Sequence, residues 1–201
     1  LLAAQLASRL APPDPIVLAL PRGGVPVARE IAAELHAPLD VVVVRKLGVP
    51  GEDEVAFGAL ASPGIRVLNR AIIAEFGVTP VEVERVAARE HRELRRRERV
   101  YRGRRPALGL HGRPVILVDD GIATGATMRA AIAVLRQEHA GRITVATPVA
   151  AREAYLELRG KVDDFVVLRI PKEFSAVGAF YEEFPAVTDA EVSEALEPVV
   201  V

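Results

Sequence analysis

A chain of 201 residues, half of them hydrophobic and 26% charged, can bury a sizeable core without disulfides or a structural metal. Its formal net charge of −1 and its lack of cysteine exclude a global pull toward nucleic acid or anionic membrane, a thiol nucleophile and any cysteine-based metal site. No apolar run reaches the length of a membrane span, so a cytoplasmic location is the default expectation, and a first residue other than Met is compatible with a missing N-terminal piece.

The opening LLAAQLASRLA reads as an amphipathic helix, ended by Pro12, Pro13 and Pro15. Residues 16–20 (IVLAL) form a short buried strand, Pro21, Arg22, Gly23 and Gly24 a turn, and 25–35 a helix that His36 closes at its negative dipole end. Paired glycines let an anion approach the backbone closely, and Arg22 adds a permanent cation with a fork of donors, although a tight strand-to-helix connection has the same composition. VVVVR (41–45) is the next strand, and its continuous apolar run argues for parallel pairing covered on both faces. Arg45 and Lys46 stand at its end, as anion-neutralising groups or as solvated charges. Residues 50–69 then break at Gly51, Gly58 and Ser62-Pro63-Gly64 into a flexible two-stranded ribbon with arms EVAFGAL and IRVLN.

Residues 79–105 are dense in both signs of charge. Thr79 suits an N-cap, Pro80 the first helical position, and many Glu and Arg lie three or four apart, which together describe a solvated, charged helical insertion. The mixed sign argues against nucleic-acid binding. His91, His111 and His139 lie in unlike contexts and make no ligand cluster.

Residues 115–127 carry the densest chemistry. VILV is a strand buried on both faces, and Asp119 and Asp120 fall at its carboxyl end, where open α/β sheets bind ligands. Beyond them Gly121, Ala123, Gly125 and Ala126 leave the backbone uncovered, Thr124 and Thr127 add hydroxyls, and a helix from 126 to 137 brings its positive end to the same spot. Two carboxylates can accept hydrogen bonds from vicinal hydroxyls while the turn takes a phosphate, which is the chemistry of a ribose phosphate. Strand and carboxylates alone also suit a Walker B strand, a receiver domain or a strand with an acidic end. No Gly-x-x-x-x-Gly-Lys-Ser/Thr or GxGxxG occurs, and another strand-helix unit and strand precede the acidic pair, unlike a receiver. A strand at 143–150, a helix at 151–159, the strand FVVLRI (165–170) and a C-terminal cover over 171–201 complete one α/β domain, 1–201, with a parallel sheet, right-handed crossovers and helices on both faces.

VILVDDGIATGAT resembles the thirteen-residue phosphoribosyl pyrophosphate (PRPP) signature of the type I phosphoribosyltransferases, with Gly121 where that family usually has an aliphatic residue. The resemblance implies that Asp119 and Asp120 hold the ribose 3′ and 2′ hydroxyls and that Ala123, Thr124, Gly125, Ala126 and Thr127 wrap the 5′-phosphate. LALPRGGVPVA resembles the pyrophosphate loop of the hypoxanthine-guanine members, which implies a pyrophosphate site at Arg22, Gly23 and Gly24, joined by Arg45 from the segment after VVVV, and a cis peptide in the Arg22–Gly23 region. The ribbon resembles the family's mobile catalytic loop, with Lys46 as a catalytic residue beside the Asp pair. FVVLRIPKEFSAVGAFYEEF resembles the hood of those members, with Phe165 and Val166 at base-flanking positions. Ala123 within the signature and Lys172 after Ile170-Pro171 replace acidic residues of the hypoxanthine-guanine members, which leaves the acceptor base open. The implied reaction displaces pyrophosphate from PRPP by a nitrogen nucleophile, through an oxocarbenium-like transition state, with Mg²⁺ bound mainly through PRPP and no protein metal site assigned. It belongs to nucleotide metabolism. Members are often homodimers, and some PRPP-binding relatives are regulators with little or no transferase activity.

Overall fold

A computed structural model describes residues 1–9, 14–62 and 64–197, without the side chains of Asp53 and Glu54. Pro12, Pro13, Pro63 and the last four residues of the expected hood lie outside the described residues. In chain order the elements are α1 (Leu2–Arg9), β1 (Ile16–Ala19), α2 (Gly24–Leu35), β2 (Leu39–Val41), β3 (Val44–Val49), β4 (Glu52–Ala61), β5 (Ile65–Leu68), α3 (Arg70–Glu75), α4 (Pro80–Arg102), β6 (Val115–Val118), α5 (Ala126–Gln137), β7 (Ile143–Val149), α6 (Arg152–Leu158), β8 (Asp164–Arg169), a 3₁₀ turn (Val177–Phe180) and α7 (Asp189–Ala195).

Five parallel strands form one sheet in the order β2-β1-β6-β7-β8, and β3-β4-β5 form a separate antiparallel sheet. Strand alternation divides the apolar residues between two faces. Val17, Ala19, Ile116 and Val118 pack with α1, α2, α4 and α7, whereas Ile16, Leu18, Val115 and Leu117 pack with α5 and α6. Because β1 and β6 occupy the centre, their carboxyl ends place the turn after Ala19 and the turn after Val118 side by side. Among the described residues no helix is long and apolar enough to cross a membrane.

Three sequence expectations change. VVVVR is not one strand: Val41 ends β2, the Val42 N–H makes a bond of 3.0 Å to the Ala19 carbonyl, and the Val43 carbonyl already accepts at 3.2 Å from the N–H of Ser62, the residue after β4. Val41 and Val43 enter one core cluster and Val42 the other, so the apolar run marks a crossing between sheets. Arg45 and Lys46 therefore lie within β3 rather than after a strand. The ribbon is three-stranded, and Leu47, Phe57 and Ala61 are fully buried, so it is packed into both core clusters.

The charged segment is likewise half internal. α4 begins with Thr79 as N-cap and Pro80 in the first turn, as the sequence suggests, and Glu82 completes a capping box; but Val83, Val86, Ala87, Glu90, Leu94, Tyr101 and Arg102 are buried along one face. Arg102 donates from Nε to Asp40 Oδ1 at 2.8 Å and from Nη1 to Ser62 Oγ at 3.1 Å, so its charge is neutralised where it is buried. The fold also brings His111 and His139, far apart in sequence, into an edge-to-face pair with centroids 5.7 Å apart.

Candidate active site

The two sequence motifs meet through their smallest residues. A Cβ at residue 23 would overlap the Asp120 carboxylate, and one at residue 24 would sit 2.8 Å from the Val118 carbonyl oxygen and 3.3 Å from Asp119 Oδ1. Gly23 and Gly24 thus admit the paired carboxylates as well as any anion. The cis peptide lies one bond before the expected region, at Pro21–Arg22. Within the described chain the Arg22 and Gly23 N–H groups make no hydrogen bond, so both are available as donors.

Asp119 and Asp120 stand side by side, and Asp119 Oδ1 accepts the Asp120 N–H at 3.0 Å. Burial, then the neighbouring Asp120 charge, pushes the Asp119 carboxyl well above its ordinary range, and burial also raises Asp120. The turn that follows is anchored by a bond of 3.0 Å from the Ile122 N–H to the Val149 carbonyl and by Gly125 in a left-handed conformation, φ 71°. Ala123, Thr124 and Thr127 are exposed, and the N–H groups of Ala123, Thr124, Gly125 and Thr127 have no acceptor within the described chain. Only Ala126 finds a local partner, Thr124 Oγ1 at 3.5 Å. Unbonded donors at the N-terminus of α5 form a cradle for an anion.

The cationic candidates separate. Arg22 borders the cleft and places Nη1 3.8 Å from Asp189 Oδ1 on α7. Arg45 is committed elsewhere: its Nη2 lies 2.6 Å from Glu90 Oε2 and its Nε donates to the same oxygen at 2.8 Å. Withdrawing Arg45 toward an anion would leave Glu90 buried and without its closest cation. Lys46 is exposed, and its register with Ala59 and Val67 puts it on the opposite face of the ribbon, the face that packs on α5.

The base-flanking candidates are not brought to the carboxylates. Val166 is 1% exposed in the core, and Phe165 packs edge-on against Tyr155 with centroids 5.1 Å apart. The register Val118↔Ala146↔Val166 sets both residues below the level of Asp119, toward the amino end of the sheet. The residues that do reach the turn come from the hood. Tyr181 donates from its hydroxyl to the Asp120 carbonyl at 2.6 Å, and the Val177 side chain occupies the space a Cβ at Gly121 would need. A cavity of about 430 Å³ opens between Arg22, Gly23, Pro26, Asp120, Tyr181 and Phe184. No local sequence pattern links Tyr181 or Asp189 to residues so far away in the chain.

The model of a family described as phosphoribosyl transferase domain matches residues 2–179. Two curated Mycobacterium tuberculosis proteins, from strains CDC 1551 / Oshkosh and H37Rv and named provisionally as phosphoribosyl transferases, are each 44% identical over 191 residues, covering 94% of this chain and 43% of theirs. The chain therefore spans less than half the length of these relatives. The crystal structure of TT1426 from Thermus thermophilus superposes with a TM-score of 0.89 at 46% identity, covering 97% of this chain and 92% of that one.

Proposed function

The chain belongs to the phosphoribosyl transferase domain family, and on that premise we propose that it transfers the 5-phosphoribosyl group of PRPP to a nitrogen of a base-like acceptor and releases pyrophosphate, in nucleotide metabolism or salvage. One observation carries this reading. The paired carboxylates of Asp119 and Asp120 abut the two glycines of the Arg22 turn, with the open N–H cradle of residues 123–127 next to them. A ribose with an anion at each end matches that order of acceptors and donors.

In the proposed reaction the C1–O bond to pyrophosphate breaks with its electron pair, a C1–N bond forms, and the acceptor's proton passes to solvent. Asp119 and Asp120 hold the ribose hydroxyls and stand close to the positive charge that develops on the sugar. Backbone N–H groups at Ala123 to Thr127 fix the 5′-phosphate and so orient the ring. Arg22, with the N–H groups of Arg22 and Gly23, receives the departing pyrophosphate, and Lys46 adds charge from the ribbon. No activated side-chain nucleophile is needed.

Mg²⁺ fits this site as a partner of PRPP. The Asp pair supplies the hard oxygens that Mg²⁺ prefers, and a nearby cation would offset the burial that raises both carboxyls and the Asp120 charge that raises Asp119 further. Among the described residues no group of three or more His, Asp or Glu is placed to hold a metal, so the remaining ligands would come from PRPP and water. Bound there, the ion would neutralise charge on the leaving group.

A second reading is a PRPP-binding regulator, and the packed ribbon favours it. Arg45 is held by Glu90 and Phe57 is fully buried, so the segment expected to close over the reaction is anchored in the core. The test is pyrophosphate release over a panel of bases with PRPP and Mg²⁺. Turnover with one base supports the transferase, saturable PRPP binding without turnover supports the regulator, and absence of PRPP binding overturns both.

A further inference from the structure

The hood touches the signature turn at two adjacent residues, and those contacts converge on one peptide. Tyr181 donates to the Asp120 carbonyl oxygen at 2.6 Å, and the Asp120 N–H is taken by Asp119 Oδ1 at 3.0 Å. Both polar groups of the Asp120 backbone are therefore occupied, and its carboxylate is left to face Gly23 and the cavity. One residue further on, Gly121 lacks the side chain that would exclude Val177; a Cβ there would overlap both Val177 methyl groups and lie 3.1 Å from Val149 Cγ1. The aliphatic group expected at position 121 is thus supplied by the hood, across a gap of more than fifty residues of chain.

We infer that Tyr181 is a positioning residue of the donor site, which together with Val177 fastens the hood to the turn and fixes the direction of the Asp120 carboxylate. The inference rests on the PRPP-binding reading above and adds the residue that sets the geometry of one of its two carboxylates. Rotation of the Asp120 peptide would swing the carboxylate away from Gly23, and a hydrogen bond to its carbonyl resists that rotation. The Tyr181 ring is held independently, by Phe184 at 4.9 Å between centroids and an interplanar angle of 41°, so the hydroxyl arrives on a fixed arm. The remaining hood aromatics do not share this role: Phe174 and Phe180 stack with each other at 5.5 Å, and Arg169 lies over Phe180.

The test is calorimetric titration of the full chain with PRPP in the presence of Mg²⁺. Tyr181→Phe keeps the ring and removes the hydroxyl; it is expected to weaken PRPP binding about tenfold, the magnitude of one well-placed hydrogen bond, while the melting temperature falls by no more than about 4 °C. Gly121→Ala is expected to weaken binding similarly by displacing Val177, and Gly121→Ala with Val177→Ala to return affinity to that of Val177→Ala alone. A merely structural Tyr181 would lower the melting temperature and the binding-competent fraction while leaving affinity per folded molecule unchanged. That result, or wild-type affinity in Tyr181→Phe, overturns the inference alone. Absence of PRPP binding by the wild-type chain overturns the donor-site reading and this assignment with it.

Discussion

The turn that follows β6 and the helix α4 both concentrate charge, and they treat it in opposite ways. In the turn, Asp119 and Asp120 are like charges held side by side, and burial raises both carboxyls. Along α4 almost every carboxylate has a cation: Glu90 lies against Arg45 and Arg89, and Glu93 against Arg96 and Arg97, the latter pairings holding Glu93 at about 2. Arg102 in turn is met by Asp40 and Glu98. Charge that is compensated within the chain serves the fold, whereas charge left repelling itself in a cleft is waiting for a ligand to compensate it. Each region is therefore expected to respond to mutation in the property the other leaves alone.

The largest effect expected is on binding. Asp119→Asn combined with Asp120→Asn should lower PRPP affinity by more than about a hundredfold, since two charge-assisted hydrogen-bond acceptors are lost, while calorimetric unfolding shows a chain at least as stable as wild type. Unchanged affinity would remove the turn from the donor site. Next, Arg102→Ala leaves Asp40 buried without its cation and is expected to destabilise the chain by about 3–5 kcal/mol, read as a fall in denaturant midpoint, with PRPP affinity per folded molecule unchanged. A loss of affinity without a loss of stability would erase the contrast between the two regions.

The pH dependence sharpens the same contrast. A carboxyl whose folded pKa is raised stabilises fully below its unfolded value, and that contribution is lost as pH rises through the folded value. Thermal melts of ligand-free Asp119→Asn should therefore gain on wild type as pH rises from about 4 toward 8. Glu93 runs the other way: its folded value is depressed, so its contribution is present above its ordinary range and lost as pH falls toward about 2. Glu93→Gln should accordingly match wild type in strong acid and fall slightly below it at neutral pH, by about 0.3–0.5 kcal/mol for an exposed helical pair. A Glu93→Gln deficit that grows on acidification would contradict the assigned pairing.

How far the molecule is legible from its letters follows from how local each cause is. The strands IVLAL and VILV, the N-cap at Thr79 and the Asp pair ahead of a small-residue turn are all local in cause. Each depends on neighbours within one turn of helix or one strand, and each stands where expected. VVVVR misleads because an apolar run states that residues are buried without stating in which sheet, and here consecutive valines serve two cores. The pairing of Arg45 is not legible locally, because a cation at a strand end looks the same whether it faces solvent or Glu90, 45 positions away. Where Phe165 and Val166 stand along β8 relative to Asp119 is a matter of strand register, which no local pattern states.

The sequence by itself determined the α/β alternation, the two turns with their glycines and the identity of the paired carboxylates, because hydrophobic period, turn chemistry and adjacent charge act over a few residues. Only the tertiary structure decided which cations are free, which face of α4 is buried, and that the hood meets the signature turn through Val177 and Tyr181. Those outcomes depend on packing between segments far apart in the chain, where a missing Cβ at Gly121 or Gly23 acquires its meaning only from the side chain that takes its place.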